Sequence, residues 1–150
     1  MSELELVVIG EAEFKVKLGK LAAAVRGKML EDALRAGALQ IEGPAKQKAP
    51  VRTGNLKRSI HIETSSTDTS AEARIGTNLV YAAVQEFGGT ISPKSKAYLV
   101  FKTPDGSWHS VKSVHVPAHP YLRPAFDENK DTAVKEVGQV LELLITKAAT

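Results

Sequence analysis

The stretch KQKAPVRTGNLKRSI, residues 46–60, marks the point where a helical sequence pattern gives way to an extended one. Before it, apolar residues recur every three or four positions among good helix formers. After it, apolar and polar residues alternate, which is typical of a strand. Pro50 disfavours a helical conformation at the residue before it, and Gly54 permits a tight turn. The stretch therefore predicts a corner between a long helix and a sheet, anchored in the core by Leu56 and Ile60.

Upstream of the corner, residues 17–48 predict a long amphipathic helix. Two apolar stripes run along it, one from Leu18 to Ala36 and the other from Leu30 to Ala45. Two stripes predict that more than one surface covers the helix. The Gly43–Pro44 pair predicts a kink or a break, because proline removes one helical hydrogen bond. Ahead of the helix, residues 1–10 predict a strand arm that pairs with the chain's own sheet or with a neighbouring subunit.

Downstream of the corner, residues 56–77 predict a hairpin, and residues 98–116 predict a second one that turns at a Pro-Asp-Gly sequence. Between them lies a short helix, residues 78–89, and the chain ends in another helix. Two polar segments, 64–71 and 90–97, are predicted to be mobile loops. The predicted fold is α+β, with residues 1–150 in a single domain. An antiparallel sheet built from hairpins packs against the long N-terminal helix, with a short middle helix and a C-terminal helix.

The composition is that of a soluble globular domain, with 43% hydrophobic and 25% charged residues. The 150-residue sequence holds no cysteine, which excludes disulfides and cysteine-based zinc sites and fits synthesis in a reducing, intracellular compartment. The N-terminus lacks the basic start of a secretory signal, and no apolar run reaches membrane-spanning length, so no membrane partner is expected. The net charge is +3, with basic residues in excess in the first 60 positions and acidic residues in excess after residue 126.

No catalytic or metal-binding pattern stands out. His115 and His119 have the spacing of half a zinc finger, but Pro117 lies between them and the cysteine half is absent. No serine stands in a nucleophile elbow, and no glycine-rich loop has the spacing of a phosphate-binding loop. We therefore expect no enzyme activity, no metal and no cofactor.

The corner is rich in basic residues and contains no acid. Its charges allow three interpretations: they keep a structural corner soluble, they contact an acidic patch on another subunit, or they contact DNA. Base stacking is not indicated, because no aromatic residue is interleaved with them. The residues in question are Lys46, Lys48, Arg52, Lys57 and Arg58.

Three segments in a fixed order carry a family resemblance. They are APVRTGNLKRSI at 49–60, YAAVQEFGG at 81–89 and HPYLRPAFDENK at 119–130. Together they resemble the minor structural proteins of tailed bacteriophages typified by gene product ten of a lambdoid siphophage, over about residues 4–145. The resemblance singles out Pro50, Thr53, Gly54, Leu56 and Ile60 in the corner, Tyr81, Glu86, Phe87 and Gly88 in the middle helix, and Pro120, Tyr121, Leu122, Arg123 and Pro124 at the start of the last helix.

The resemblance implies a structural role in a phage or prophage virion, as a neck, head–tail joining or tail-completion protein. Such proteins assemble as a homo-oligomeric ring through which DNA passes, beside connector or tail-tube proteins, at the head–tail junction or the head-proximal end of the tail. The alternative is a basic DNA-associated protein without a virion role. In a ring, the long helix and the arm would be partly buried by neighbouring subunits.

Two side chains in these segments carry more specific expectations. Arg123, held between two prolines, is expected to make a bidentate contact with a carboxylate, and Glu86 is a candidate partner. Tyr81 is expected to give its hydroxyl to a backbone group if it is buried.

Overall fold

A computed structural model describes residues 4–6 and 23–148 of the chain, and the fold is α+β as predicted. Two long helices and the first hairpin form the body, and two small two-stranded sheets lie beside it. The elements are β1 Leu4–Leu6, α1 Ala23–Lys48, α2 Asn55–Ser59, β2 His61–Ser66, β3 Ala71–Gly76, α3 Ala82–Phe87, β4 Gly89–Ile91, β5 Leu99–Lys102, β6 Trp108–Val111, β7 Val114–Val116 and α4 Leu122–Ala148.

The core lies on both sides of α1. One side of this helix packs on β2 and β3, and another packs along α4. Over the described part of the helix this arrangement explains the two apolar stripes, because α4 of the same chain covers what the sheet leaves open. The stripes alone therefore do not require a neighbouring subunit. The buried apolar residues of the three layers are Ala33, Leu34, Ala38, Ile41 and Ala45 of α1, Ala73 and Ile75 of β3, and Ala125, Ala133, Val137 and Leu141 of α4.

Gly37 brings α1 and α4 close together. A Cβ atom at this position would overlap the Val137 side chain and would lie 2.8 Å from the carbonyl oxygen of Ala133. Because that oxygen belongs to the backbone of α4, it cannot move aside without shifting the helix. The small alanines on both helices serve the same close approach.

The sheet under α1 is antiparallel in the order β1–β3–β2. The β2–β3 hairpin pairs Ile62 with Ile75, and β1 pairs with the other side of β3 through Leu4 and Ile75. Residues 4–6 of the predicted arm thus join the chain's own sheet, and the rest of the arm lies outside the described residues. Strand pairing extends to Ser66 and resumes at Ala71, so the predicted loop 64–71 shrinks to residues 67–70.

The segment between α3 and α4 forms two further antiparallel pairs. The β5–β6 hairpin pairs Leu99 with Val111 and turns through the predicted Pro-Asp-Gly sequence, where Gly106 has a φ of 90°. The pair β4–β7, which joins Gly89 to Val116, was not expected from the sequence. Residues 90 and 91 therefore belong to a strand, which corrects the start of the predicted loop 90–97.

Of the kink or break predicted at Gly43–Pro44, the break is wrong, and so is the direct entry of the corner into a strand. Helix α1 continues through Pro44 to its end at Lys48 without a break. The residue before the proline is Gly43, which has no Cβ to collide with the proline ring, so the usual restriction on that position is relaxed. After the turn, the chain does not enter a strand directly. The single-turn helix α2 intervenes, and β2 begins only after Ile60.

Candidate interaction site around the short middle helix

The short helix α3 is fixed to the start of α4 by the Glu86 carboxylate. Glu86 is only 6% exposed. Its Oε2 accepts hydrogen bonds from the backbone N–H groups of Tyr121 at 2.8 Å and Leu122 at 2.9 Å, and its Oε1 accepts one from Arg123 at 2.8 Å. One side chain from a distant part of the sequence thus caps a 27-residue helix.

The chemistry of the helix start explains this arrangement. The first N–H groups of a helix have no partner within the helix, and the helix dipole places partial positive charge there. Pro120 and Pro124 carry no N–H, so the three donors between them are the ones that need acceptors. A carboxylate satisfies all three and places negative charge where the dipole favours it. The segment HPYLRPAF and the glutamate of YAAVQEFGG are therefore two halves of one contact.

The contact between Glu86 and Arg123 differs from the expectation. The backbone N–H of Arg123 reaches Glu86, whereas its guanidinium is exposed and makes no ion pair with Glu86. Tyr121 and Leu122, whose backbone N–H groups donate to the same carboxylate, are both buried, with Tyr121 2% exposed. The predicted bidentate contact is therefore wrong for Glu86, whose oxygens are already occupied by backbone donors.

Burial of Tyr121 against the Glu86 carboxylate changes its chemistry. Loss of solvent around the phenol, together with the nearby negative charge of Glu86, raises the pKa of Tyr121 to about 12. A cavity of about 40 Å³ lies beside these two residues and reaches His61 on β2. Such a volume holds a water molecule, whereas small-molecule sites occupy several hundred Å³.

The corner holds its shape through Gly54 and Arg58. Gly54 has a φ of 76°, a left-handed conformation that favours glycine. The Arg58 guanidinium donates a hydrogen bond of 2.6 Å to the Asn55 side chain and one of 3.3 Å to the Thr53 carbonyl. Leu56 and Ile60 are buried, at 3% and 1% exposure, as the sequence predicts for its anchors.

A groove of about 490 Å³ separates the corner from α3. The corner side is residues 50–56, and the α3 side is Tyr81 and Gln85. We call it the corner groove. It brings together the first two segments of the resemblance, just as Glu86 brings together the second and the third. The short helix α3 is therefore the structural centre of all three.

Apolar side chains around α3 are left exposed to solvent. Val51 is 68% exposed, Val80 93%, Tyr81 44% and Phe87 55%. Tyr81 is thus exposed, so the condition attached to the expected contact of its hydroxyl is not met. Of these, Val51 and Tyr81 face each other across the corner groove, so the groove has an exposed apolar rim.

The five basic residues of the corner have different environments. Lys46 pairs with Glu42 at 2.8 Å, one turn earlier on α1, and Lys48 pairs with Glu128 of α4 at 2.9 Å. Arg58 is used in the corner itself. Arg52 and Lys57 are exposed and make no ion pair or hydrogen bond with any residue that the structure describes. Only these two remain for an outside partner, which the sequence could not distinguish from the other three.

Gly88 ends α3 in a way that no other residue allows. Its φ is 70°, and a Cβ there would lie 2.8 Å from the backbone nitrogen of Ala118 and 2.9 Å from the carbonyl oxygen of Val116. The chain after α3 therefore passes directly beside the strand that leads to α4. The neighbouring hydrogen bond from the His119 N–H to the Gln85 carbonyl, at 2.6 Å, holds the same approach.

Within residues 4–6 and 23–148, no group of three or more histidine, aspartate or glutamate side chains is placed to hold a metal ion. His115 lies on β7 beside Thr90, and His119 lies in the segment before α4. In the same part of the chain, no helix is long and apolar enough to cross a membrane.

The sequence profile of the family described as "Bacteriophage HK97-gp10, putative tail-component" matches residues 12–88, just over half of the chain. The protein belongs to this family of bacteriophage tail components. The match covers α1, the corner, the first hairpin and α3, while the start of α4 lies beyond it. No curated protein and no solved structure gives a significant match.

Sequence reasoning missed the role of Glu86 as the cap of α4. The signals were present: an acid in an apolar helix, and a Pro-Tyr-Leu-Arg-Pro sequence that presents three N–H groups between two prolines. The two signals lie 35 residues apart in the sequence, and no local pattern indicates which acid meets which helix start.

Proposed function

We propose that the protein is a structural component of a phage or prophage virion that joins head and tail or completes the tail, as one subunit of an oligomeric ring through which DNA passes. It would be found in the virion, at the head–tail junction or at the head-proximal end of the tail. Its membership of a tail-component family supports a structural role in the tail.

The observation that carries the proposal is the corner groove with its exposed apolar rim. Val51 and Tyr81 line the groove from opposite sides and remain solvent-exposed in the single chain. The scaffold below is rigid, because Glu86 fixes α3 to α4 and Gly54 fixes the corner. A rigid scaffold that presents exposed apolar groups suits a permanent contact with a neighbouring subunit or an adjoining connector or tail-tube protein.

Arg52 and Lys57 support a second candidate, a basic protein that contacts DNA without a virion role. Both are exposed beside the corner groove. If these two cations alone meet phosphates, the logarithm of the binding constant should fall with the logarithm of salt concentration with a slope of about −1.8. A slope this shallow fits DNA that passes through a ring, whereas a dedicated DNA-binding protein would engage further cations and give a steeper slope.

Sedimentation velocity and a salt titration of DNA binding separate the two candidates. The ring proposal predicts concentration-dependent assembly that Tyr81→Ala weakens, while Leu143→Ala, a change at an exposed apolar residue of α4, serves as the matched control. A chain that stays monomeric but binds duplex DNA with a slope much steeper than about −2 would favour the second candidate.

A further inference from the structure

The β5–β6 hairpin presents an exposed apolar face. In this hairpin Lys102 pairs with Trp108, and Val100 pairs with Ser110. Because side chains alternate along each strand, these four lie on one face. Trp108 is 70% exposed and Val100 64%. The Lys102 ammonium lies 5.9 Å from the centre of the Trp108 ring, a cation–π distance. We call these four residues the outer face of the hairpin.

The opposite face differs. Leu99 and Val111 at its base are half-buried, and the Phe101 ring stacks on His109 with centroids 5.8 Å apart. The hairpin nevertheless makes few contacts with the other described elements. A two-stranded hairpin alone is marginally stable in water, so one that carries an exposed tryptophan gains by being covered.

The charge around the hairpin defines what could cover it. Residues 92–113 carry a net charge of +3, with Asp105 as the only acid. The four lysines are all exposed to solvent. An acidic surface is therefore the complement, and a further basic surface is excluded by repulsion. The lysines are Lys94, Lys96, Lys102 and Lys112.

The outer side of α4 has that character. Asp127, Asp131, Val134, Gly138 and Glu142 follow one another at steps of three or four residues, so they share one face of the helix. The three acids are exposed, and Val134 is 48% exposed. A Cβ at Gly138 would meet no atom of the described residues within 4 Å, so no described side chain fills the space between Val134 and Glu142. This space leaves room for an aromatic ring, and the carboxylates around it on α4 would then face the lysines of the hairpin.

We propose that the outer face of the β5–β6 hairpin docks on this acidic face of α4 in a second copy of the chain. Trp108 would occupy the space at Gly138, with Lys102 near Asp131. The contact joins two different surfaces, so it is heterologous and repeats from one copy to the next, closing into a ring when the rotation permits. The inference thus deepens the proposed ring by naming one of its subunit contacts.

Cross-linking tests the contact directly, because the chain has no cysteine of its own. One preparation carries Ser110→Cys on the hairpin and another carries Gln139→Cys beside Gly138. The two are mixed and treated with a short bismaleimide. Cross-linked pairs should form from the mixture, and replacing the second variant by Gln47→Cys at the exposed end of α1 should abolish them. No cross-linked pairs from the mixture would overturn the inference.

Variants of the docking residues give a second readout by sedimentation. Trp108→Ala should weaken self-association by about 30-fold, the level of an interface hot spot. Lys102→Glu and Asp131→Lys should each weaken it, and the two together should restore much of the loss, because the charges are exchanged. Circular dichroism checks that each variant is folded. Self-association that none of these changes affects would also overturn the inference.

These experiments distinguish failure of the hairpin–α4 contact from failure of the proposed ring. Rings without the cross-link would overturn this contact and leave the ring to other surfaces. Cross-links in open chains would support this contact and count against a closed ring. A chain that remains monomeric and without cross-links would overturn both. If Trp108→Ala weakened DNA binding and left self-association unchanged, the hairpin would be a nucleic-acid contact and the inference would be wrong.

Discussion

Replacement of Glu86 should destabilise the protein more than replacement of any exposed acid. Its carboxylate is 6% exposed and accepts three backbone hydrogen bonds of 2.8 to 2.9 Å. Glu86→Ala leaves three donors at the start of α4 without an acceptor. Each buried unsatisfied donor costs about 1–3 kcal/mol, and entry of water lowers the sum. We expect a loss of about 3–5 kcal/mol in the free energy of unfolding.

Glu86→Gln gives an intermediate loss for a specific reason. The amide keeps one acceptor oxygen, which can still serve Tyr121 and Leu122, but its NH₂ group faces the N–H of Arg123. The favourable charge at the helix start is lost as well. Together these effects should cost about 2–3 kcal/mol.

Urea unfolding followed by circular dichroism measures both losses. The matched control is Glu128→Gln, which removes an exposed ion pair with Lys48 and should cost under about 1 kcal/mol. In Glu86→Gln the pKa of Tyr121 should also move down, since the Glu86 charge contributes to raising it. A loss below about 1 kcal/mol for Glu86→Ala would refute the capping account, because no cap of this kind could then be operating.

Three further predictions follow from the packing and the ionisation of single residues. Gly37→Ala should destabilise the fold by about 1–3 kcal/mol in urea unfolding, because its Cβ meets α4. Gly138→Ala, whose Cβ would have no described atom within 4 Å, should stabilise it by about 0.5–1 kcal/mol. Equal effects of the two changes would contradict the close approach of the helices. Gly54→Ala should cost about 1–2 kcal/mol in the same assay, because φ is 76° there, and a neutral result would contradict the left-handed turn. With a pKa of about 12, Tyr121 keeps its proton in the folded state above the pH at which the unfolded chain loses it, so its contribution to stability is full below about pH 10 and is lost as the pH rises through 12. In an absorbance titration, Tyr121→Phe should remove a tyrosine step near pH 12, and a wild-type protein without such a step would contradict this.

Much of the fold could be predicted from local patterns. The long helix before Pro50, the hairpin that pairs Ile62 with Ile75 and the Pro-Asp-Gly turn each depend on residues close together in the sequence. Local signals failed where distant contacts decide. The Gly43–Pro44 pair predicted a kink or a break, but a glycine before the proline and packing on both sides of α1 keep the helix from breaking.

The strand pair β4–β7 and the candidate site show the same limit. Strand β4 has three residues, and its pairing with Val116 brings together positions 27 residues apart. The sequence identified the corner, the middle helix and the start of α4 as separate segments, and it predicted Leu56 and Ile60 as anchors. It did not predict that Glu86 joins two of the segments through backbone donors. Nor did it predict that, of the five basic residues of the corner, only Arg52 and Lys57 lack a partner among the described residues.

The central claim is that this protein acts as one subunit of a ring in the phage tail or at its junction with the head. Electron microscopy of the purified protein over a range of concentrations tests that claim most directly. The account predicts closed rings of uniform subunit number with a central channel wide enough for duplex DNA. A protein that shows only monomers at every concentration, both alone and with isolated tail tubes, would contradict it.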